Sequence, residues 1–310
     1  MSGDDKKADA SVCCASCGIA EIDDIKLKDC DGCDLVRYCG DACQELHRPE
    51  HRGKCRKRAA ELRDELLFKQ PEFSHYGDCP ICSLPLSLDR SKSSMYFCCS
   101  KMVCDGCICA NQKREDERRL QPSCPFCREI LPSLEEEYDK QLMKRVEAND
   151  PAAMCRYGEA QYEKGQYSSA FEYFTKAAEL GDAHAHLRLA WLYHEGQGVE
   201  ENRKKRLHHF EEAAIGGHPL ARYSVGAYEW NHEKNGDKER AVKHWIIAAR
   251  QGDDNSIKDL MNAFKERLLS KEDLAAALRA QKAAVDATKR PQRKEAEVTM
   301  KDYVDSAKNQ

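Results

Sequence analysis

The spacing of apolar residues divides the chain into two parts. From about residue 150 onward, apolar positions recur at helical spacing in pairs of segments. Ala153, Ala185 and Ala221 are equivalent, followed by Tyr157, Leu189 and Val225 and then by the small residues Gly158, Ala190 and Gly226. Phe174, Phe210 and Trp245 align next, then the pairs Ala177-Ala178, Ala213-Ala214 and Ala248-Ala249, and Gly181, Gly217 and Gly252 close each unit. These later landmarks recur at 36 and then 35 residues. Two helices per unit at such a period predict a helical solenoid. Alanine and glycine allow paired helices to approach closely, aromatics fill the gaps, and glycine supplies the left-handed residue that ends a helix. Repeat 2 has Arg206 where repeats 1 and 3 have Ala170 and Ala241, and repeat 3 has NHEKNGD in place of the Gly-x-Gly loop.

The same patterning places helices around the repeats. RKRAAELRDELLFKQ, from Arg56, reads as helical. Ser133 followed by Glu136 fits a capping box for a charged helix, and Asp150-Pro151 reads as an N-cap with proline at the first helical position. A fourth first-type helix is expected from Ser256 through Phe264. A capping helix follows, started by Ser270 and Asp273, with the narrow stripe Leu274, Leu278 and Val285, and it runs to about Lys289. Pro291 should end it, leaving a polar, mobile tail.

Residues before 130 show no such periodicity and too few apolar positions for an ordinary core, but they hold 17 of the 18 cysteines. Lys and Arg total 50 against 54 Asp and Glu, a net charge of −4, so a general nucleic-acid surface is not expected. The longest strongly apolar run, Trp245 to Ala249, is far too short to span a membrane. The polar start, MSGDDKKADAS, does not read as a secretory signal. The expectation is a cytoplasmic or nuclear protein, where dense cysteines bind metal or do thiol chemistry instead of forming disulfides. Metal would then supply the folding energy the missing core does not.

The first cluster reads Cys14-x-x-Cys17, Cys30-x-x-Cys33, Tyr38-Cys39-x-x-x-Cys43 and His51-x-x-x-Cys55. A C-x-x-C loop brings two thiolates to one ion at about 2.3 Å. His51 and Cys55 share a face if helical. Thiolate-rich sites with one imidazole favour zinc. Cys13 is an alternative to Cys14, and His47, one turn before His51, is either a ligand or a supporting residue. This run closely resembles the MYND zinc finger. The resemblance implies that Cys14, Cys17, Cys39 and Cys43 hold one zinc and Cys30, Cys33, His51 and Cys55 another. It also implies a groove for short proline-containing peptides. Arg48 stands where the family often has a tryptophan in that groove.

The second cluster opens with Cys79-Pro-Ile-Cys82, continues with Cys98, Cys99, Cys104 and Cys107, and closes with Cys124-Pro-Phe-Cys127. It resembles an all-cysteine RING finger. The resemblance implies that Cys79, Cys82, Cys104 and Cys107 share one zinc and Cys98, Cys99, Cys124 and Cys127 the other. Most RING fingers leave a residue between the third and fourth ligands, so adjacent Cys98 and Cys99 require a tight backbone. Cys109 is an alternative to Cys107. RING fingers commonly act as ubiquitin-protein ligases. They hold a ubiquitin-charged conjugating enzyme in a reactive pose and supply no nucleophile, and the gain is orientational. Ile81, Pro125 and Arg128 match the family's contact positions for that enzyme and ubiquitin; the alternative is a non-catalytic adaptor, in which Ile81 packs the small core, Pro125 shapes a ligand turn and Arg128 is solvated. The polar NQKREDERRL between Cys107 and Cys124 is an unusual lining for such a groove.

The repeats, about 150–253, resemble Sel-1-like repeats, relatives of the tetratricopeptide family, most clearly in AHLRLAWLYHEGQGV from Ala185. Gly196-Gln197-Gly198 reads as the turn between repeat helices, Arg203-Lys204-Lys205-Arg206 as a solvated helix start with a nuclear localisation patch as the alternative, and Cys155 as a buried, inert thiol. The expected fold class is therefore mainly α and multidomain: two small zinc-stabilised modules followed by an αα helical-repeat solenoid. The expected divisions are a disordered 1–11, a MYND-like finger at 12–55, a helical linker at 56–76, a RING-like finger at 77–130, a helical linker at 131–149, repeats with a capping helix at 150–290 and a tail at 291–310. About four zinc ions are expected per chain. The expected partners are other proteins or peptides, including a ubiquitin-conjugating enzyme and ubiquitin, with neither membrane nor nucleic acid among them.

Overall fold

The fold comes from a computed structural model, which describes residues 13–21, 25–231 and 236–308. The disordered start expected at 1–11 and most of the repeat-3 loop, 232–235, lie outside the described residues. The chain is mainly helical and divides into two compact units, 1–69 and 70–310. Among the described residues, no helix is long and apolar enough to cross a membrane.

In the first unit a short antiparallel pair, β1 (Lys28–Asp29) and β2 (Arg37–Tyr38), leads directly into the long helix α1 (Asp41–Leu67). The helix begins inside the finger, where the sequence reading starts it only at Arg56, because His51 and Cys55 must both project from one helical face; it ends at Leu67, so 68–76 of the expected helical linker are not helical. Its core is small: Cys14, Leu27, Cys30, Cys33 and Tyr38. Arg58 donates from Nε and Nη2, one edge of its guanidinium, to the two Asp34 oxygens at 2.7 and 2.8 Å, tying the later turns of α1 to the loop between the strands.

The second unit opens with an irregular segment and a hairpin, β3 (Ser93–Tyr96) and β4 (Lys101–Cys104), in the register Ser93↔Cys104 to Tyr96↔Lys101. Helix α2 (Asp105–Arg118) follows without a break. Helix α3 (Glu135–Glu147) is capped by Leu134 with no side-chain bond, so the Ser133–Glu136 capping box does not form. This helix is also more than a linker, because Leu142 and Val146 are buried in the core of the first repeat.

The repeats are antiparallel pairs: α4 (Pro151–Glu163) with α5 (Tyr167–Glu179), α6 (Ala183–Glu195) with α7 (Arg203–Ile215), and α8 (Pro219–Asn231) with α9 (Lys238–Arg250). Asp150 caps α4 by accepting from the backbone N–H groups of Ala152 and Ala153, as its Asp-Pro sequence predicts. Close approach has a measurable basis. A Cβ on Gly158 would lie 2.7 Å from the buried Phe174 ring, and one on Gly226 2.7 Å from Trp245 Nε1. Helices α10 (Asp254–Lys265) and α11 (Lys271–Ala287) continue the stack, with Ser270 Oγ accepting from the Asp273 N–H at 3.0 Å.

The sequence reading ends in a mobile tail, whereas the structure has a further helix, α12 (Pro291–Lys308). Pro291 starts this helix instead of stopping the previous one, since a proline at the first helical position sacrifices no hydrogen bond. Buried Ala296 and the side chain of Arg293 anchor α12 against the α2 end of the cysteine module.

Candidate metal centres and the surfaces around them

In the first unit, Cys14, Cys17, Cys39 and Cys43 converge in one set and Cys30, Cys33, His51 and Cys55 in the other, each with its ligand atoms within 4.8 Å of one another. Two thiolates on one tetrahedral zinc stand about 3.8 Å apart, given Zn–S bonds near 2.3 Å. The sulfurs of Cys17 and Cys39 are 3.6 Å apart, those of Cys39 and Cys43 3.6 Å, and those of Cys30 and Cys55 3.8 Å, while Cys33 Sγ lies 3.2 Å from His51 Nε2. These separations suit a shared ion. Gly32 is required here, because a Cβ at that position would come within 3.0 Å of Cys55 Sγ.

The alternatives left open by the spacing resolve on geometry. Cys14 is buried in its set, while Cys13 is exposed and outside it. His47 is a supporting residue: its Nδ1 is 3.0 Å from Tyr38 Oη and its ring stacks on His51. Burial, with the charges of His47 and Lys54, holds the His51 pKa down, leaving the neutral imidazole that metals bind.

In the second unit the sets are Cys79, Cys82, Cys104 and Cys107, and Cys98, Cys99, Cys124 and Cys127. The sulfurs of Cys82 and Cys104 are 3.9 Å apart, those of Cys99 and Cys124 3.8 Å, and those of Cys98 and Cys127 3.4 Å. The adjacent pair Cys98-Cys99 sits in the turn of the β3–β4 hairpin, where the Cys99 N–H donates to Tyr96 O and Ser100 adopts φ 53°. That turn is the tight backbone an adjacent pair needs. Cys104 ends β4 and Cys107 lies in the first turn of α2, so one strand-to-helix junction supplies both, and Cys109 stays outside the set. Bonds from the Cys104 side chain, opposed by burial and aided by backbone N–H groups of Cys104, Cys82 and Ile81, pull the Cys79 thiol down to about 4. Hydrogen bonding to Cys79, together with burial, drives Cys104 far upward. Four thiols this close cannot all ionise without a cation among them. The four clusters are compatible with several zinc ions.

Three C-x-x-C loops share one knuckle. The residue after the second cysteine has a left-handed backbone in each: Gly18 at φ 74°, Ser83 at 52° and Arg128 at 67°. Ile81 and Phe126 project from the two loops of the second module, 43% and 44% exposed, while Pro125 is buried. Arg128 Nη1 donates to Asn111 Oδ1 at 2.7 Å. Asn111 belongs to a network that sequence reasoning missed. Its Nδ2 donates to Glu115 Oε1, which also accepts from the Ser123 N–H and Oγ at 3.1 and 2.6 Å. The only sequence signal was Asn111 and Glu115 standing four apart inside NQKREDERRL, a run that otherwise reads as solvated.

A second missed cluster lies on the N-terminal edge of the repeats. Asp150, Asp182 and Asp253 cap α4, α6 and α10, but the equivalent residue of the third repeat is His218. Its Nε2 is 3.1 Å from His184 Nδ1, its ring stacks at 3.7 Å on His75, and His184 Nε2 is 3.0 Å from Glu159 Oε1. Arg90 completes the group, donating to both Glu159 oxygens at 2.8 and 3.1 Å. Burial raises the Glu159 carboxyl, but the bonds from His184 and Arg90 outweigh it and hold it ionised. Three imidazoles in one place suggest a metal. However, ring nitrogens bind in the plane of the ring, and the stacked planes of His75 and His218 do not meet at one ion. The cluster instead docks the segment before Cys79 onto the repeats, beside a cavity of ≈ 610 Å³ lined by Arg90, Met95, Met102, Cys155 and His184.

The remaining sequence readings find their places. Gly196 and Gly198 form the α6–α7 turn, where a Cβ on Gly198 would meet the Tyr167 carbonyl carbon at 2.5 Å. Arg203 opens α7, capped by Asn202. Arg206 bonds His194 at 2.7 Å. Cys155 is buried in α4, and desolvation keeps its thiol protonated.

Comparisons with known proteins agree with two of these regions. The MYND finger family model matches residues 14–55, and the Sel1 repeat model matches 151–182, 183–218 and 220–253. No curated protein matches the chain. Among solved structures, a Sel1 repeat protein from Oxalobacter formigenes is 29% identical with a TM-score of 0.43, over 49% of this chain and 64% of that one. The chain thus spans less than two thirds of that protein. The protective antigen c5321 of uropathogenic Escherichia coli, with an SLR fold, is 19% identical over 56% of this chain and 37% of its own, at a TM-score of 0.40. Helicobacter pylori cysteine rich protein B is 20% identical over 39% and 95%, at 0.31. The chain therefore carries a MYND finger at 14–55 and three Sel1 repeats at 151–253, with a second cysteine module between them.

Proposed function

We propose that the protein is a zinc-organised ubiquitin-protein ligase of the RING type, whose MYND finger and Sel1 repeats select the substrate. Cys14, Cys17, Cys39 and Cys43 hold one zinc, Cys30, Cys33, His51 and Cys55 a second, Cys79, Cys82, Cys104 and Cys107 a third, and Cys98, Cys99, Cys124 and Cys127 a fourth. The observation that carries this reading is the interleaving of the four cysteine pairs of residues 79–127 into two sets, with Ile81 and Phe126 exposed on the two metal loops.

In this reading zinc supplies only structure, by fixing the two loops. Ile81 and Phe126 form the apolar footing for a ubiquitin-conjugating enzyme, and Pro125 shapes the loop beneath. Arg128 sits where a left-handed backbone disfavours a side chain by about 1 kcal/mol, a position Gly18 fills in the first finger. One guanidinium nitrogen rests on Asn111, and the planar fork keeps further donors for a second surface. No side chain of this chain attacks the thioester. The module orients it, and the substrate amine is the nucleophile.

A second reading is a non-catalytic adaptor that joins proteins through all its modules. The bond from Arg128 to Asn111 favours it by giving Arg128 a structural role, and so does the polar surface of α2, which is no apolar footing for a conjugating enzyme. Autoubiquitination by the zinc-loaded protein, against a panel of conjugating enzymes, separates the two. The ligase requires transfer that Ile81→Ala and Arg128→Ala each abolish with all four zinc ions retained. No transfer by the wild type with four ions bound establishes the adaptor, and full transfer by both variants removes the proposed contacts.

A further inference from the structure

The C-terminal helix reaches back to one of the metal centres. Arg293 Nη2 lies 3.3 Å from Cys82 Sγ and 3.3 Å from Leu84 O, while Nη1 donates to Pro85 O and Thr288 O at 2.7 and 2.8 Å. The guanidinium thus joins the last turn before α12 to the loop that follows Cys82. Lys92 and Glu297 form a second link at 2.9 Å. The fit is close: a Cβ on Gly106, between Cys104 and Cys107, would lie 2.9 Å from Arg293 Cγ and 3.1 Å from its Cα and N.

Cys82 is the sulfur of its set that most needs cover. Cys79, Cys104 and Cys107 are buried and Cys82 is only half-buried. Four thiolates on one Zn²⁺ leave two net negative charges, concentrated on sulfur. An exposed thiolate is where a competing chelator or an electrophile attacks first. An N–H donor from a cation covers that lone pair and offsets the charge, and such supporting bonds to metal ligands are worth roughly 10–100-fold in metal affinity.

We infer that Arg293 is a positioning residue for the Cys79–Cys82–Cys104–Cys107 zinc centre, and that α12 is a clamp retaining this ion by shielding Cys82. The inference rests on the reading that these four cysteines hold zinc. It makes metal retention in the second module depend on a residue 211 positions beyond Cys82 in the chain. Displacing α12, by a partner or by modification nearby, selectively loosens one of the four ions.

The test uses the full-length, zinc-loaded protein with a chromogenic chelator, following ions released against time, and N-ethylmaleimide labelling of each cysteine read by mass spectrometry. Arg293→Gln should release one of four ions about tenfold faster. Its Cys82 should be labelled faster in parallel, with Cys17 and Cys127 unchanged. Arg293→Lys, which keeps the charge but not the fork, should fall between. Gly106→Ala, which crowds the clamp while leaving Arg293 in place, should reproduce the Arg293→Gln result. Release and labelling unchanged in Arg293→Gln and Gly106→Ala overturn the clamp. Fewer than four ions in the wild type, with Cys82 labelled like a free thiol, overturns the metal assignment itself and the clamp with it.

Discussion

Removing zinc should dissolve the second cysteine module and leave the repeats standing, and the structure supplies the magnitudes. Apart from cysteines, the buried core of that module is Leu86, Val103 and Ile108. Three such side chains are worth about 5–9 kcal/mol at about 1.5–3 kcal/mol each. A structural zinc ion contributes about 10–16 kcal/mol of apparent binding energy, and two are assigned here. The metal term therefore dominates. The core around the first repeat, by contrast, buries Leu142 of α3, Met154 and Phe174 of the repeat and Leu189 and Leu192 of α6, and includes none of the sixteen proposed ligands. The assay is hydrogen exchange with mass spectrometry before and after a high-affinity zinc chelator. Amides of β3, β4 and α2 should lose protection, and α4 through α9 should keep it. Helix α12 contains no cysteine but should lose protection together with α2, because Arg293 grips the module. Protected amides at 93–118 after complete metal removal, or loss of α4–α9 at the same chelator concentration, refutes the reasoning.

Three further outcomes follow. Burial, with neighbouring charge from His184 and Arg90, holds His75 down to about 3, and burial with the charges of His75, His184 and Arg90 holds His218 well below 6.5. A histidine kept neutral in the fold binds its proton only when unfolded. Its contribution is full above pH 6.5 and is lost as pH falls below that, by about 1.4 kcal/mol per pH unit for each histidine. Urea melts between pH 7.5 and 5 should therefore slope more steeply for the wild type than for His218→Asn, which keeps a capping residue, and equal slopes would count against the docking cluster. Glu115→Ala leaves the Ser123 N–H and hydroxyl without their acceptor and Asn111 Nδ2 with only the Ser123 carbonyl, so it should destabilise the Cys124–Cys127 loop by about 1–3 kcal/mol and speed loss of one zinc, read by chelator titration. Gly198→Ala combines a left-handed backbone with a contact at 2.5 Å. It should cost about 2–4 kcal/mol in thermal unfolding of the repeats, whereas Gly165→Ala, left-handed but with open space around it, should cost only about 1–2.

What the sequence determined by itself was whatever depends on short spacing. C-x-x-C loops, the His51–Cys55 interval and the alanine, aromatic and glycine landmarks of the repeats each constrain a few neighbouring residues, and the resemblance their order carried grouped the same side chains that converge in each module. The polar segments resisted this kind of reading. In the sequence Glu115 falls in a polar run and Arg293 in a polar tail, Glu159 is one more charge among the repeats, and only the fold shows that a loop, a thiol or an imidazole far away in sequence meets each of them. The capping position of His218 sets it beside His75, which no local spacing records, and Pro291, which reads as a stop in the sequence, begins α12 in the fold. Local periodicity records which face of a helix is buried when the partner is apolar, because apolar burial is non-directional and repeats along the chain. A buried ion pair or a single N–H···S contact leaves no periodic trace, so only the tertiary structure decides where it forms.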